Sequence, residues 1–129
     1  MVHTIKKLTP SHYPMISRWY EGWNQPVPKR CHFSTMGCIA DGRVAGWLHL
    51  MNSDMALIEG VISDPESVPS LRKESLLKLC GFLVDTAVTL GYPTIIGITK
   101  SNSIISVSKK LGFSELKDFK IVALDASDD

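Results

Sequence analysis

Apolar and polar residues alternate with two different periods along the chain, and the period changes near prolines and glycines. Residues 3–8 and 33–40 have the pattern of short strands, and the apolar residues between positions 15 and 23 recur at helical spacing. Thr9 followed by Pro10 predicts the start of that helix, because threonine caps helices and proline is tolerated in the first turn. The first third of the chain is therefore predicted to form a strand, a helix and a second strand.

A turn signal, Asp41-Gly42, follows the second predicted strand. Aspartate before glycine favours a two-residue hairpin. Residues 44–50 alternate as the return strand, and residues 55–62 are apolar on both sides except at Glu59. A strand with two apolar faces is typical of the centre of a sheet that is covered on both sides. We therefore expect Glu59 on a central strand.

The second half of the chain predicts two helices and two strands. Residues 70–90 carry a long apolar stripe that stops at Gly91, and residues 102–111 form a last helix. Runs of apolar and β-branched residues at 94–98 and 119–124 predict strands. The order is β-α-β-β-β-α-β-α-β. It predicts an α/β fold with a mixed, mostly antiparallel central sheet and helices on both faces.

Length and charge limit the possible classes of protein. A chain of 129 residues suits one domain over positions 1–129, with a frayed acidic tail at 125–129. The 14 basic and 13 acidic residues give a net charge of +1. That balance argues against nucleic acid or an anionic membrane as the main partner.

The cysteines and the hydropathy predict a compartment. Three cysteines, Cys31, Cys38 and Cys80, match neither a zinc site nor a disulfide framework, and we expect no metal. Free thiols fit a reducing environment. The sequence shows no leader peptide and no apolar run of about 20 residues, so a cytoplasmic protein is expected.

Four segments, in this order and spacing, resemble the GNAT superfamily of N-acetyltransferases. They are the hairpin at 40–47, the strand at 58–65 that ends in a proline, the helix end Leu90-Gly91-Tyr92, and residues 102–113, which close with Lys-Lys-Leu-Gly-Phe. The resemblance implies a GNAT-like fold and transfer of an acetyl group from acetyl-CoA to an amine acceptor.

The resemblance also implies where acetyl-CoA binds. Backbone groups of Val61, Ile62 and Ser63 would pair with the pantetheine arm, and Asn102 keeps a family position on the last helix. In the phosphate loop, however, Val68 stands at the usual basic position, and Leu71 and Lys73 stand at the two glycine positions. The side chains of Arg72 and Lys73 can contact phosphate instead, or they are solvated residues of the first helical turn.

The implied catalytic residues differ from the family pattern as well. Glu59 takes the position of the general base, or is a glutamate paired with a neighbouring cation. Ser108 stands where the family often has a tyrosine that protonates the CoA thiolate, and a serine hydroxyl is a much weaker acid. His49 either faces the acceptor or is a structural histidine.

These departures leave other functions open. The chain can be a non-catalytic GNAT-fold binding or structural module with a protein partner, for example in a phage or other assembly. It can also hold another nucleotide ligand through Arg72, Lys73 and Lys100. The aromatic residues Trp19, Tyr20 and Trp23 fit an acceptor or partner site, or an aromatic core face. An exposed sheet edge would permit a homodimer.

Overall fold

The structure is a computed structural model that describes residues 5–29, 36–124 and 126. Cys31, the acidic tail apart from Ala126, and the outer ends of the first two predicted strands lie outside the described residues. The strands are β1 (Ile5–Lys7), β2 (Gly37–Ala40), β3 (Val44–Leu50), β4 (Met55–Ser63) and β5 (Thr94–Gly97). The helices are α1 (Tyr13–Gly22), α2 (Pro69–Thr89) and α3 (Asn102–Lys110).

The five strands form one sheet in chain order, β1-β2-β3-β4-β5. All neighbours are antiparallel except β4 and β5, which run parallel because α2 crosses over between them. The parallel pairing extends from Met55 opposite Thr94 to Ile58 opposite Gly97. The sequence-based prediction of a mixed, mostly antiparallel sheet is therefore confirmed.

Helices cover both faces of the sheet, as the pattern predicted. Side chains at successive positions of a strand point to opposite faces, so Val44 and Leu48 pack against α2, whereas Ala45 and Trp47 pack against α1. The α2 face also receives Val107 of α3. None of the helices that the structure describes combines the length and the hydropathy that a bilayer-crossing segment requires.

The predicted hairpin at Asp41-Gly42 is present. Asp41 has φ of 54° and Gly42 has φ of 67°, and the Arg43 N–H donates to the Ala40 carbonyl over 2.9 Å. Two consecutive residues with positive φ are the mark of the turn type that matches the twist of two antiparallel strands.

The predicted closing strand at residues 119–124 is wrong. That segment has no regular structure, and its side chains are exposed, with Val122 at 94% and Leu124 at 89%. An apolar, β-branched run favours extended backbone, but a strand also needs a neighbouring edge with which to exchange hydrogen bonds. The segment has no such pairing, so the described order ends at α3.

A β-bulge interrupts β4 in its middle. Trp47 pairs with Glu59 and Ala45 pairs with Ile62, so three residues of β4 span the distance that two residues of β3 cover. Gly60 adopts φ of 69°, which a glycine reaches without a Cβ clash.

The bulge changes which face each later residue of β4 takes. Val61 packs against the α2 core, close to the position a Cβ at Gly46 would occupy, whereas Ile62 belongs to the α1 core. Strict alternation would place Val61 on the face of Glu59. The bulge places it on the opposite face.

Candidate functional site

A cleft of about 530 Å³ opens beside the carboxyl-terminal half of β4. Its walls come from the end of β4, the first turns of α2 and the first turns of α3. The cleft exists because the pairing of β4 with β5 ends at Ile58 and Gly97, so the two parallel strands separate beyond that point. Its floor is apolar and is formed by Val44, Val61, Ile62 and Leu76.

The charged side chains that line the cleft are Arg72 and Lys73, both from the first turns of α2. The described lining residues include no carboxylate. The helix begins at Pro69, which has no N–H, while the N–H groups of Ser70 and Leu71 have no acceptor within the helix. Positive side chains and free helix N–H groups together favour an anion at this end of the cleft.

Arg72 is held by the loop that precedes α2. One guanidinium nitrogen, Nη1, donates to the Ser67 carbonyl over 2.9 Å and to the Pro65 carbonyl over 3.4 Å. The guanidinium also lies 5.1 Å from the ring centroid of Trp23, a cation–π distance. Arg72 therefore orders the loop, whereas Lys73 has an exposed chain at the cleft.

Trp23 closes the side of the cleft next to α1. Its Nε1–H donates to the Ser63 carbonyl over 2.7 Å, and its side chain is 39% exposed. Trp19 and Tyr20 of the same helix are buried and belong to the α1 core. The aromatic residues thus divide: two are core residues, and the third lines the cleft.

The helix α3 presents polar groups to the cleft from its first turns. Asn102 and Ser106 line it, together with Ser101, whose side chain caps the helix by accepting the Ile104 N–H over 3.3 Å. Ser108 is not among the lining residues. Its hydroxyl donates to the Ile104 carbonyl over 2.8 Å, a bond within the helix.

Glu59 lies beside the bulge on the α1 face of the sheet, whereas Val61 lies on the α2 face. Its Oε1 is 3.0 Å from Nε2 of His49, which stands on the neighbouring strand β3. Nε2 is buried and the contact lacks the alignment of a hydrogen bond. Tyr20 approaches the same point from α1 and donates its hydroxyl to the Gly60 carbonyl over 3.2 Å. Burial, and second the charge of Glu59, raise the pKa of Tyr20 to about 12.

The structure brings most of the sequence-predicted cofactor residues together. Six of the seven residues line one cleft: Val61, Ile62, Ser63, Arg72, Lys73 and Asn102. Leu71, the seventh, does not line the cleft. Glu59 and Ser108, the two predicted catalytic residues, do not line the cleft.

The bulge beside the cleft and one lining residue had a signal in the sequence. Gly60, inside an otherwise apolar strand, is the usual mark of a bulge. Ser106 lies one helical turn after Asn102, so the two share a helix face. Trp23 had a helical spacing that fits a core position equally well, so its place at the cleft could not be read from the pattern.

No family model matches the chain, and no curated protein matches it in sequence. Solved structures do match. Rv2747 from Mycobacterium tuberculosis, in complex with CoA and NLQ, has a TM-score of 0.71 and 16% identity, and the match covers 94% of this chain and 77% of that one. A probable acetyltransferase has a TM-score of 0.65 and 15% identity, covering 98% and 100%. The ribosomal-protein-S18-alanine N-acetyltransferase from Escherichia coli has a TM-score of 0.67 and 18% identity, covering 88% and 79%.

The chain has the GNAT acetyltransferase fold. The resemblance read from its hairpin, proline-ended strand and last helix is thereby confirmed for the fold. Identities below 20% carry the GNAT fold and nothing finer.

Proposed function

We propose that the chain binds acetyl-CoA in the cleft beside β4 and transfers its acetyl group to an amine. One observation carries the proposal: the cleft follows the unpaired edge of β4, beyond Ile58, and ends at the basic first turn of α2. An extended amide chain can pair with the free backbone edge at residues 61–63, while phosphates meet Lys73 and the helix N–H groups.

Different residues would bind different parts of acetyl-CoA along the cleft. Val61, Ile62 and Ser63 would hold the pantetheine arm, and Lys73, the N–H of Leu71 and the neighbouring Arg72 would face the phosphates. Asn102 and Ser106 would contact the ligand from α3. Glu59 would accept the proton of the amine from the opposite face of the sheet.

The absence of loop glycines lowers the expected affinity. Losing two hydrogen bonds to charged oxygens weakens binding by about 3–6 kcal/mol, or two to four decades. A loss of this size would turn a micromolar site into one nearer the millimolar range.

Calorimetry with acetyl-CoA tests the proposal, using Lys73→Ala and, as a matched control, Lys110→Ala. Lys110 is an exposed lysine of α3 that does not line the cleft. We expect Lys73→Ala to weaken binding about 10- to 100-fold, the loss of one charge-assisted hydrogen bond, and Lys110→Ala to leave it unchanged. No heat and no thermal shift at millimolar acetyl-CoA would refute the proposal.

A second candidate is a non-catalytic binding module. It is favoured by the Ser108 hydroxyl, which is engaged within α3, and by the Arg72 guanidinium, which is engaged by the loop carbonyls of Pro65 and Ser67. Recovery of a stoichiometric protein partner, with no thiol released from acetyl-CoA in the presence of amines, would support this alternative. Thiol release that depends on the amine would exclude it.

A further inference from the structure

His49 and Glu59 form a pair beside the bulge, on the α1 face of the sheet. In the register of β3 and β4, Trp47 faces Glu59 and His49 faces Leu57, so His49 and Glu59 are diagonal neighbours on one face. Diagonal neighbours of an antiparallel pair lie within reach of long side chains. The Nε2–Oε1 distance of 3.0 Å shows that these two side chains do meet.

The pair lies at the point where the pairing of β4 with β5 ends. Glu59 directly follows Ile58, the last residue of β4 that pairs with β5, and directly precedes Gly60 in the bulge. Val61, two residues later, already lines the cleft on the other face. A proton acceptor at Glu59 is therefore within two residues of the strand segment that would hold the acetyl donor.

The pair is also partly open to solvent. The side chain of His49 is 27% exposed and that of Glu59 is 39% exposed. Ion pairs with this degree of exposure contribute little to folding stability. The contact thus leaves room for an approaching amine, and the fold does not depend on it.

We propose that His49 is a positioning residue that holds the Glu59 carboxylate in place to accept the proton of the acceptor amine; this rests on the proposed acetyl transfer. The ammonium group of the acceptor gives one proton to the carboxylate. The neutral nitrogen then forms a bond to the acetyl carbon while the carbon–sulfur bond breaks, and the thiolate leaves with the electron pair. The second proton that the nitrogen loses passes through solvent to the thiolate.

The imidazole has the chemistry for this role. An N–H at Nε2 can donate to Oε1 after a small rotation of the ring, and such bonds are often poorly aligned until the substrate binds. Tyr20, on the same face, donates its hydroxyl to the Gly60 carbonyl of the same strand. One oxygen of Glu59 is then oriented by His49, and the second is available to the amine.

Two substitutions at His49 test the hydrogen-bond donor separately from the volume of the side chain. His49→Gln keeps an N–H near the position of Nε2, whereas His49→Leu keeps the volume and removes the donor. Acetyl transfer is followed as thiol release from acetyl-CoA with putrescine, lysine and alanine amide. We expect His49→Leu and Glu59→Gln each to lower kcat at least about tenfold, with the affinity for acetyl-CoA within about twofold.

Two further results are expected from the same set. His49→Gln should recover most of the kcat, and the double variant His49→Leu/Glu59→Gln should be no slower than the slower single variant, because the two residues act as a unit. Wild-type kcat in His49→Leu, or losses that multiply in the double variant, would overturn the inference.

A measurement without turnover tests the pair separately. The ¹⁵N resonance of His49 Nε2 should shift on Glu59→Gln, since the neighbouring carboxylate becomes an amide. An unchanged resonance would overturn the pairing whatever the activity. If the wild type binds no acetyl-CoA while this shift is present, the pair stands and the proposed transfer falls.

Discussion

The hydroxyl of Ser75 donates to Oδ2 of Asp41 over 2.6 Å and so ties the β2–β3 hairpin to the first half of α2. Ser75 is fully buried, and Nζ of Lys78 lies 3.0 Å from the same oxygen. A hydrogen bond to a charged group contributes about 1.5–3 kcal/mol. We expect Ser75→Ala to lower the free energy of unfolding by that amount in urea titrations. Ser70→Ala, an exposed serine of the same helix, should change it by less than about 0.5 kcal/mol. Equal effects of the two would contradict the importance of this contact.

Gly60 is the residue that makes the bulge possible. It has φ of 69°, and a Cβ there would lie 2.8 Å from Cε3 of Trp47. Gly60→Ala should therefore lower the free energy of unfolding by about 2–4 kcal/mol, from backbone strain and overpacking together. Gly42→Ala is the matched control, because Gly42 has φ of 67° and nothing within 4 Å of its Cβ position. In that variant the free energy of unfolding should fall only by the cost of the backbone strain, about 1–2 kcal/mol. If the two variants lost equal free energy of unfolding in chemical denaturation, the contact with Trp47 would add nothing to the cost at Gly60.

Gly81 lies in the middle of α2 with space around it. The nearest atom to a Cβ at this position is Cδ2 of Leu111, at 3.9 Å, an ordinary van der Waals distance. Alanine has a higher helix propensity than glycine and restricts the unfolded chain, so Gly81→Ala should raise the free energy of unfolding by about 0.5–1 kcal/mol. A rise in the midpoint of thermal unfolding measures the gain. A fall would mean that α2 and α3 pack more closely than this distance indicates.

Tyr20 should make stability sensitive to alkaline pH. Burial and the charge of Glu59 raise its pKa from 10.0 to about 12. Between these values the unfolded chain has lost the phenol proton and the folded chain keeps it, so the free energy of unfolding falls as pH rises. From pH 9 to 11 the Tyr20 share of that fall is about 1.3 kcal/mol.

The variant Tyr20→Phe isolates this contribution. Cys80, whose pKa burial raises to about 11, lowers stability over part of the same range in both proteins. From pH 9 to 11 the free energy of unfolding of the wild type should therefore fall by about 1.3 kcal/mol more than that of the variant, measured by urea titration. A difference that stays constant with pH would contradict a raised pKa for Tyr20.

Periodicity predicted most of the fold because it reports on burial, and burial decides the helices and the inner strands. It placed α2 within one residue at either end and the hairpin at Asp41-Gly42. It could not show that Asp41 would meet Ser75, 34 positions later, because a side-chain contact leaves no period. It also predicted a last strand at 119–124, because an apolar run does not show whether the edge of a neighbouring strand is available for pairing.

The candidate site was predicted less completely than the fold. The resemblance to GNAT proteins predicted that Val61, Ile62 and Ser63 bind the cofactor. The alternation of the strand, however, predicted that Val61 shares the face of Glu59. The bulge at Gly60 reverses that assignment. Charge alone made Arg72 and Lys73 equivalent, whereas three-dimensional contacts bind Arg72 to its own loop and leave Lys73 at the cleft.

The bulge has a consequence for the kinetics of the proposed reaction. Because β4 changes face between Glu59 and Val61, the acetyl donor and the amine would reach the same strand from opposite sides of the sheet. Neither ligand then blocks the path of the other, and no acetylated form of the protein is needed. Initial rates measured at several fixed concentrations of one ligand should give intersecting double-reciprocal lines, the pattern of a ternary complex.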